Sequence, residues 1–557
     1  MIIPLHNSSQ PSPPDTEELT NIFGDEWISD ANDEYYGTSM SNLYCKNSPW
    51  NYYTPQLSPS RHHTVLFEMP ATLIHPPKPH YTLNASHWDA NHVRMPFSRK
   101  NIFPVKDSKK TVLKPRWDII KSSLSQPIKT SVQLEEAVFS YNLRHRKFEA
   151  LHHFFEEVFD EEESKHFFHT LLPQIIQLAL QLPELIQTPL PLLKQGKPHT
   201  ISLSQLQIAS LLANAFLCTF PWKKECDTYP GINFNRLYEC LTQCEPSISE
   251  KLKCFIHYFR CVCNNTPKGV VTFERKHLPR TQLPRWDKNE NNIGDIKLHI
   301  THKGTIENDG KGCLQVDFAN CMVGGGVLGY GCVQEEIRFA ICPELLVSRL
   351  FTEQLNPNEA LLIIGAQCYS EYTGYADTFE WAGNHHDETP YDEYGRRRTN
   401  ILAIDALLYF NTAVQFRPSK MIRELNKAYV GFHELSSAPK SLLSPVATGN
   451  WGCGAFRGNH HLKALMQLMA CAAARRNIVY YTFGAKSLQS DVFHIYNFLV
   501  TNRVTVAQLW RYLGHFNETG VSSRQLLPFI KQAHLDSTHS FININESVLS
   551  RHCVEAQ

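Results

Sequence analysis

CLQVDFANCMVGGGVLGYGCVQEEIRFAI, residues 313–341, reads as a strand, a glycine-rich loop and a helix in succession. CLQVDFA is a short apolar run, and VQEEIRFAI sets apolar residues at helical spacing. The same alternation recurs throughout the second half of the chain. GVVTFERK, ALLIIGAQCY, NILAIDALLY and NIVYYTFG read as strands, and PSKMIRELNKAYVGFHE and HHLKALMQLMACAAARRN as helices. Strands alternating with helices predict an α/β layer fold. Ligands of such sheets bind beyond the carboxyl ends of the strands. Both glycine-rich loops suit that position, since DFANCMVGGG follows a strand and GNWGCGAFRGN precedes a helix.

Upstream the pattern differs. Residues 1–60 are rich in Ser, Pro, Asn and Asp without periodicity and read as disordered. Residues 61–116 mix aromatics with prolines and read as an extended arm packed on a folded body. Residues 117–266 read as a helical accessory domain, with apolar residues at three- and four-residue intervals. Within it Ser202 or Ser204 is the expected N-cap of one helix, and Pro173 is expected to end or kink another. Residues 267–500 form the expected α/β core, and 501–557 a helical extension.

Composition narrows the function. Lys plus Arg equals Asp plus Glu, at 54 each, which argues against a nucleic-acid footprint but leaves room for a local phosphate pocket. The most apolar segment, 208–220, falls short of the roughly 18 residues a membrane span needs and follows helical spacing. The opening residues lack the basic start and long apolar run of a signal peptide, so an intracellular protein is expected. The 16 cysteines lack paired spacing and read as reduced thiols. Neither Cys254, Cys261 and Cys263 nor the paired histidines at 385–386 and 460–461 have metal-site spacing, and no metal or cofactor is expected.

Gly324, Gly325 and Gly326 could form a tight turn, or could present backbone N–H groups to a diphosphate at a helix N-terminus. The second loop, GNWGCGAF, favours the latter, since two such loops could grip a diphosphate from both sides. Neither loop fits a Walker or Rossmann fingerprint. Glu335 and Glu336, adjacent on a helix, diverge by about 100° around its axis and cannot flank one bond from opposite faces as ordinary glycosidase carboxylates do. One could protonate a leaving oxygen while the other holds hydroxyls. A helix start favours the ionised form, whereas a general acid must keep its proton, so burial and a neighbouring like charge would have to raise the pKa.

GGG followed after seven residues by QEE resembles the signature of poly(ADP-ribose) glycohydrolases. GTIEN, VDFAN, YTGYADTF, RRRTNILAIDAL, ATGNWGCGAF and YYTFG are similar to the same family's catalytic region, as are LHHFFEEV and INFNRLYE upstream. The resemblance spans about residues 61–500. It implies a macrodomain-type three-layer α/β/α core with an N-terminal helical accessory domain. The implied reaction is hydrolysis of the ribose–ribose O-glycosidic bond of protein-attached poly(ADP-ribose). By motif match Glu336 is the acid–base, Glu335 orients ribose hydroxyls, and Asp317 and Asn320 support them. Glu307, Gln334, Tyr375 and Phe483 correspond to adenine and nearby ribose contacts, with Phe483 as a stacking platform, and Ile306 and Tyr372 join the expected substrate-binding set. Asn450, Gly452, Gly454 and Phe456 fall to the diphosphate and ribose side, and Gly324, Gly325 and Gly326 are expected among the substrate-binding residues. A DNA damage response setting, in nucleus or cytoplasm, and a monomer that binds neither nucleic acid nor membrane are expected as well. A non-catalytic ADP-ribose-binding module is the alternative, and the intact QEE argues against it. So it does against a hydrolase of ADP-ribose attached directly to side chains. Two departures stand out: Arg457-Gly458-Asn459 replaces the family's Gly-Gly-Asp, and Tyr391 and Tyr394 stand where Arg and Trp are expected.

Overall fold

The computed structural model describes residues 34–44, 48–82, 88–107, 110–143, 146–222, 228–241, 246–436 and 438–537. Its centre is a ten-stranded sheet. In chain order the strands are β1 (Tyr35–Gly37), β2 (His63–Val65), β3 (His199–Ser204), β4 (Val270–His277), β5 (Leu298–Thr301), β6 (Leu314–Asp317), β7 (Glu359–Ile364), β8 (Asn400–Ala403), β9 (Val446–Gly449) and β10 (Ile478–Tyr481). In space they run β1-β5-β10-β9-β6-β8-β7-β4-β3-β2. The five strands β5, β10, β9, β6 and β8 are mutually parallel, with Leu314 opposite both Asn400 and Val446. Strands β7 and β4 continue the sheet antiparallel. Because the five parallel strands point the same way, the loops after Thr301, Asp317, Ala403, Gly449 and Tyr481 all open on one edge.

Each face of the sheet carries a helical layer. One apolar cluster joins Trp117, Phe154, Phe216 and Phe255 to Ile337, Ile363 and Ala403, so the helices of the first half share a core with the sheet. The other packs Leu298, Val316 and Leu402 against Pro418–Phe432, His460–Ala474, Lys486–Thr501 and Val506–Thr519. This is the three-layer arrangement expected of the sequence.

Three expectations change. The reading of residues 1–60 as disordered is corrected over 34–44 and 48–60; residues 1–33 lie outside the described residues. Tyr35–Gly37 pairs antiparallel with β5, Tyr35 stacks on His299 at 4.8 Å between centroids, and Thr38 donates to Leu298 O at 2.7 Å. Gly37 has φ +86°, and a Cβ there would lie 2.2 Å from Leu298 O. Composition cannot show that an edge of sheet awaits a polar strand. The 61–116 arm likewise contributes His63–Val65 as a parallel strand on β3, and a separate hairpin of Ile102–Asp107 with Lys110–Pro115. The 117–266 segment is not purely helical, because His199–Ser204 is inserted between β2 and β4, with Ser202 Oγ 2.8 Å from Thr272 Oγ1.

Ser204 is the N-cap of Gln205–Phe216. Its Oγ accepts from Gln207 N–H, and the Gln207 side chain accepts from Ser204 N–H, a reciprocal capping box. Pro173 does not end its helix, which runs on to Leu180. It follows a π-helical turn, Phe167–Leu171, and the looser winding there accommodates a residue that has no N–H to donate.

Candidate active site

The loop after β6 and the helix Gln334–Ile341 fold onto each other through the two glutamates. Glu335 accepts the N–H of Gly324 on Oε1 at 2.5 Å and that of Asn320 on Oε2 at 2.8 Å. Glu336 accepts Gly326 N–H on Oε1 at 2.8 Å and Val333 N–H on Oε2 at 3.0 Å. Both carboxylates converge on Gly325, where a Cβ would lie 2.3 Å from Glu336 Oε1 and 2.7 Å from Glu335 Oε2. Gly325 has φ +43°, in the left-handed region that glycine tolerates.

This corrects one expectation. The N–H groups of Gly324 and Gly326 are given to the carboxylates, and Gly325 N–H bonds Met322 O at 3.0 Å. The triplet is therefore a seat for the acids, and its amides are not the diphosphate donors that spacing suggested. Adjacent helical side chains that should diverge are drawn together because the loop supplies a donor to each.

Glu335 is 2% exposed and Glu336 7%, so Glu336 is the one nearer the open side. Asp317, at the end of β6, is 1% exposed, and neither of its oxygens makes a hydrogen bond among the described residues. Burial, reinforced by the charge of Glu336, pushes its carboxyl up to about 8, with Arg338 opposing. Burial and then the charges of Asp317 and Glu336 push Glu335 upward, against the pull of its two N–H donors. With its carboxyl raised to about 8, Asp317 retains its proton at neutral pH.

The remaining predicted residues surround this cluster. Gln334 spends its amide on the strand end, accepting from Phe318 N–H at 2.8 Å and donating to Val316 O at 3.2 Å. Asn320 Oδ1 accepts from Met322 N–H at 2.9 Å, which fixes the loop's first turn. Tyr372 donates its hydroxyl to Glu307 Oε1. Ile306 is buried with Leu43, Val479 and Tyr481, so its side chain is core and only its backbone can face a ligand. Tyr375 and Phe483 are exposed. Phe483 has φ +51° and meets Phe318 edge-on at 6.5 Å between centroids. A Cβ on Gly449 would lie 2.7 Å from the Phe483 ring, so this glycine is what lets the aromatic approach the strand end.

In the second loop Asn450 Oδ1 accepts from the Tyr480 hydroxyl at 3.2 Å. Gly452 has φ +72°, and a Cβ there would lie 2.4 Å from Ala406. Trp451 is fully buried and donates Nε1–H to Ile404 O at 2.9 Å. Among the described residues, the N–H groups of Gly452, Gly454, Ala455 and Phe456 have no hydrogen-bond acceptor. Four unspent donors, three of them successive, precede the helix His460–Ala474, an arrangement suited to an anion without a lysine at its surface.

Sequence reasoning missed the cations beneath these loops. Lys251, buried on Ser247–Asn264, donates to Gly329 O and Gly331 O, both at 2.6 Å. Arg349 donates to Val323 O at 3.1 Å and Gly325 O at 3.0 Å. They take four carbonyls of the loop whose amides hold the acids, and so fix the peptides that carry them. Under the second loop, buried Lys463 pairs with Glu424 and lies 4.0 Å from the centroid of the Trp451 ring. A lysine on the apolar face of SISEKLKCFIHYF was the one available signal. Of the departures, Tyr391 and Tyr394 pack under Arg397 and Arg396 at 4.6 and 5.1 Å, whereas Arg457 is exposed with φ +59°.

A sheet whose five parallel strands carry an acid pair and a row of unspent amides on their carboxyl edge defines a macrodomain-type fold equipped with an acid–base centre. Comparison with known proteins agrees. Residues 283–490 match the family described as “Poly (ADP-ribose) glycohydrolase (PARG), Macro domain fold”, and residues 159–275 match “Poly (ADP-ribose) glycohydrolase (PARG), helical domain”. The chain is 34% identical over 437 residues to poly(ADP-ribose) glycohydrolase 1 of Arabidopsis thaliana, covering 64% of this chain and 79% of that protein. It is 33% identical over 438 residues to the probable poly(ADP-ribose) glycohydrolase 2 of the same plant, covering 68% and 83%. With poly(ADP-ribose) glycohydrolase 2 of Caenorhabditis elegans it shares 35% over 328 residues, 57% of this chain and 64% of that one. The chain belongs to the poly(ADP-ribose) glycohydrolase family.

Proposed function

We propose that this chain hydrolyses the ribose–ribose O-glycosidic bond of poly(ADP-ribose) and releases ADP-ribose. The observation that carries the reading is the acid pair held by four backbone N–H groups, with Glu336 the less enclosed member. A carboxylate offers about four lone-pair sites, so Glu336 can accept two amides and still reach a substrate oxygen. Glu336 protonates the departing 2′-oxygen as the C1–O bond breaks. It then takes a proton from the water that attacks the oxocarbenium-like carbon, which restores the starting state.

Glu335 holds ribose hydroxyls beside it. Asp317, neutral at pH 7 because its carboxyl is pushed up to about 8, adds no negative charge beside Glu336. The unspent amides of 452–456 take the diphosphate, and Phe483 and Tyr375 flank the adenine. The setting belongs to the proposal too: nucleus or cytoplasm, in keeping with free thiols such as the half-buried Cys321 and Cys368.

The test is Glu336→Asn, assayed for ADP-ribose released from purified polymer. Asn keeps most of the volume but cannot exchange the proton, and a loss of about 10²-fold or more is expected. Turnover equal to that of the parent chain would remove Glu336 from the chemistry.

A further inference from the structure

The chemistry of the polymer dictates what lies beyond the scissile bond. The leaving oxygen is the 2′-oxygen of a ribose that also carries an adenine and a diphosphate. A chain bound for cleavage must therefore lead an adenine and an anion out past the rim of the site.

The rim beside the proposed anion cradle of 452–456 is unusual. The loop after β8 is tied to the cradle twice: Tyr409 N–H bonds Phe456 O at 3.1 Å, and Asn459 N–H bonds Gln415 Oε1 at 2.6 Å. Between these ties stands Phe410. It is 84% exposed, the most exposed large apolar side chain among the described residues, and Leu408 beside it is 47% exposed. Phe410 stands almost clear of the protein and Leu408 is half covered by it, although Tyr409 between them is buried. On the facing loop the residue after Phe456 is Arg457, which has no ion-pair partner among the described residues. Its φ of +59° is a conformation that costs a non-glycine residue energy, so the side chain is present where a glycine would fit more easily.

We propose that Phe410 and Arg457 form an acceptor subsite for the next ADP-ribose unit of the polymer, with Phe410 stacking on its adenine and Arg457 pairing with its diphosphate. The inference rests on the hydrolase reading above for the identity of the chain that passes the rim. It adds to it a contact that free ADP-ribose, already seated in the cradle, does not make. A flat apolar ring left in water and an unpaired guanidinium match a flat base joined to a diphosphate.

The test is a binding measurement, independent of turnover. On a Glu336→Gln background, which leaves the polymer intact, Phe410→Ala and Arg457→Gly are titrated with ADP-ribose and with a purified two-unit oligomer. Both side chains are exposed, and glycine suits the backbone of Arg457, so the fold is preserved. Each substitution is expected to weaken oligomer binding by about 5- to 10-fold while leaving ADP-ribose binding unchanged. Phe410→Trp should restore the oligomer affinity, and only the Arg457 contribution should fade with added salt. Unchanged oligomer affinity, or equal losses for oligomer and ADP-ribose, would overturn the subsite. A parent chain that binds both ligands yet cleaves no polymer would instead sink the hydrolase reading and leave this one standing.

Discussion

Replacing Gly325 by alanine tests the seat of the two acids directly. The added Cβ would lie 2.3 Å from Glu336 Oε1 and 2.7 Å from Glu335 Oε2, whereas ordinary contact begins at 3.4 Å. Glu336 must therefore retreat by about 1 Å, a misplacement that costs about 10²-fold in rate when it affects a reacting group. Stability should fall much less. The atoms that must move are the ends of side chains, and the left-handed φ of +43° costs an alanine roughly 1–2 kcal/mol. The assay is ADP-ribose release from polymer beside a denaturant melt of the same sample. Gly329→Ala is the control, since its Cβ would meet nothing nearer than Gly326 O at 3.6 Å, and it should be almost silent. An active Gly325→Ala chain, within about three-fold of its parent, would refute the claim that backbone space at this glycine sets the acids' position.

Asp317→Asn should make the protein more resistant to alkali. A carboxyl raised from 3.8 to about 8 on folding lends its stability in full below 3.8 and loses it as pH rises through 8. The variant's advantage should therefore grow across that window, at up to roughly 1.4 kcal/mol per pH unit, in urea melts at pH 6 and pH 9. Lys251→Met leaves the carbonyls of Gly329 and Gly331 without their donor and should cost about 2–3 kcal/mol, with turnover falling as the loop loosens. Phe483→Ala should weaken ADP-ribose binding by about 10-fold in calorimetry and leave the melt nearly unchanged, because the ring is already exposed.

The strand–loop–helix unit of residues 313–341 was legible because its pattern is local: period, glycines and acids all lie within one short stretch. Strands β5 and β9 were not. LHIT and VATG are four residues each, and they are strands because neighbours pair with them on both sides, parallel on both for VATG and antiparallel on one for LHIT. The glycine triplet was recognised but its amides were misassigned, since their acceptors are side chains 10 and 11 residues further on. Lys251 showed only as a lysine on an apolar helix face, for a related reason. Its two carbonyl partners lie 78 and 80 residues away, and nothing in an amphipathic helix announces them. Residue types that carry chemistry survive translation into sequence; the donors that aim them do not.

Strands β1 and β2, from the first 65 residues, cap opposite margins of the same sheet. The polar leader therefore works as a pair of bookends, each three residues long and too short to template a further strand. A shortened chain beginning after Val65 would keep every group at the acid cluster. It would also bare two rows of unpaired peptide groups along β5 and β3, each able to zip onto another copy, so self-association would be the first property to change.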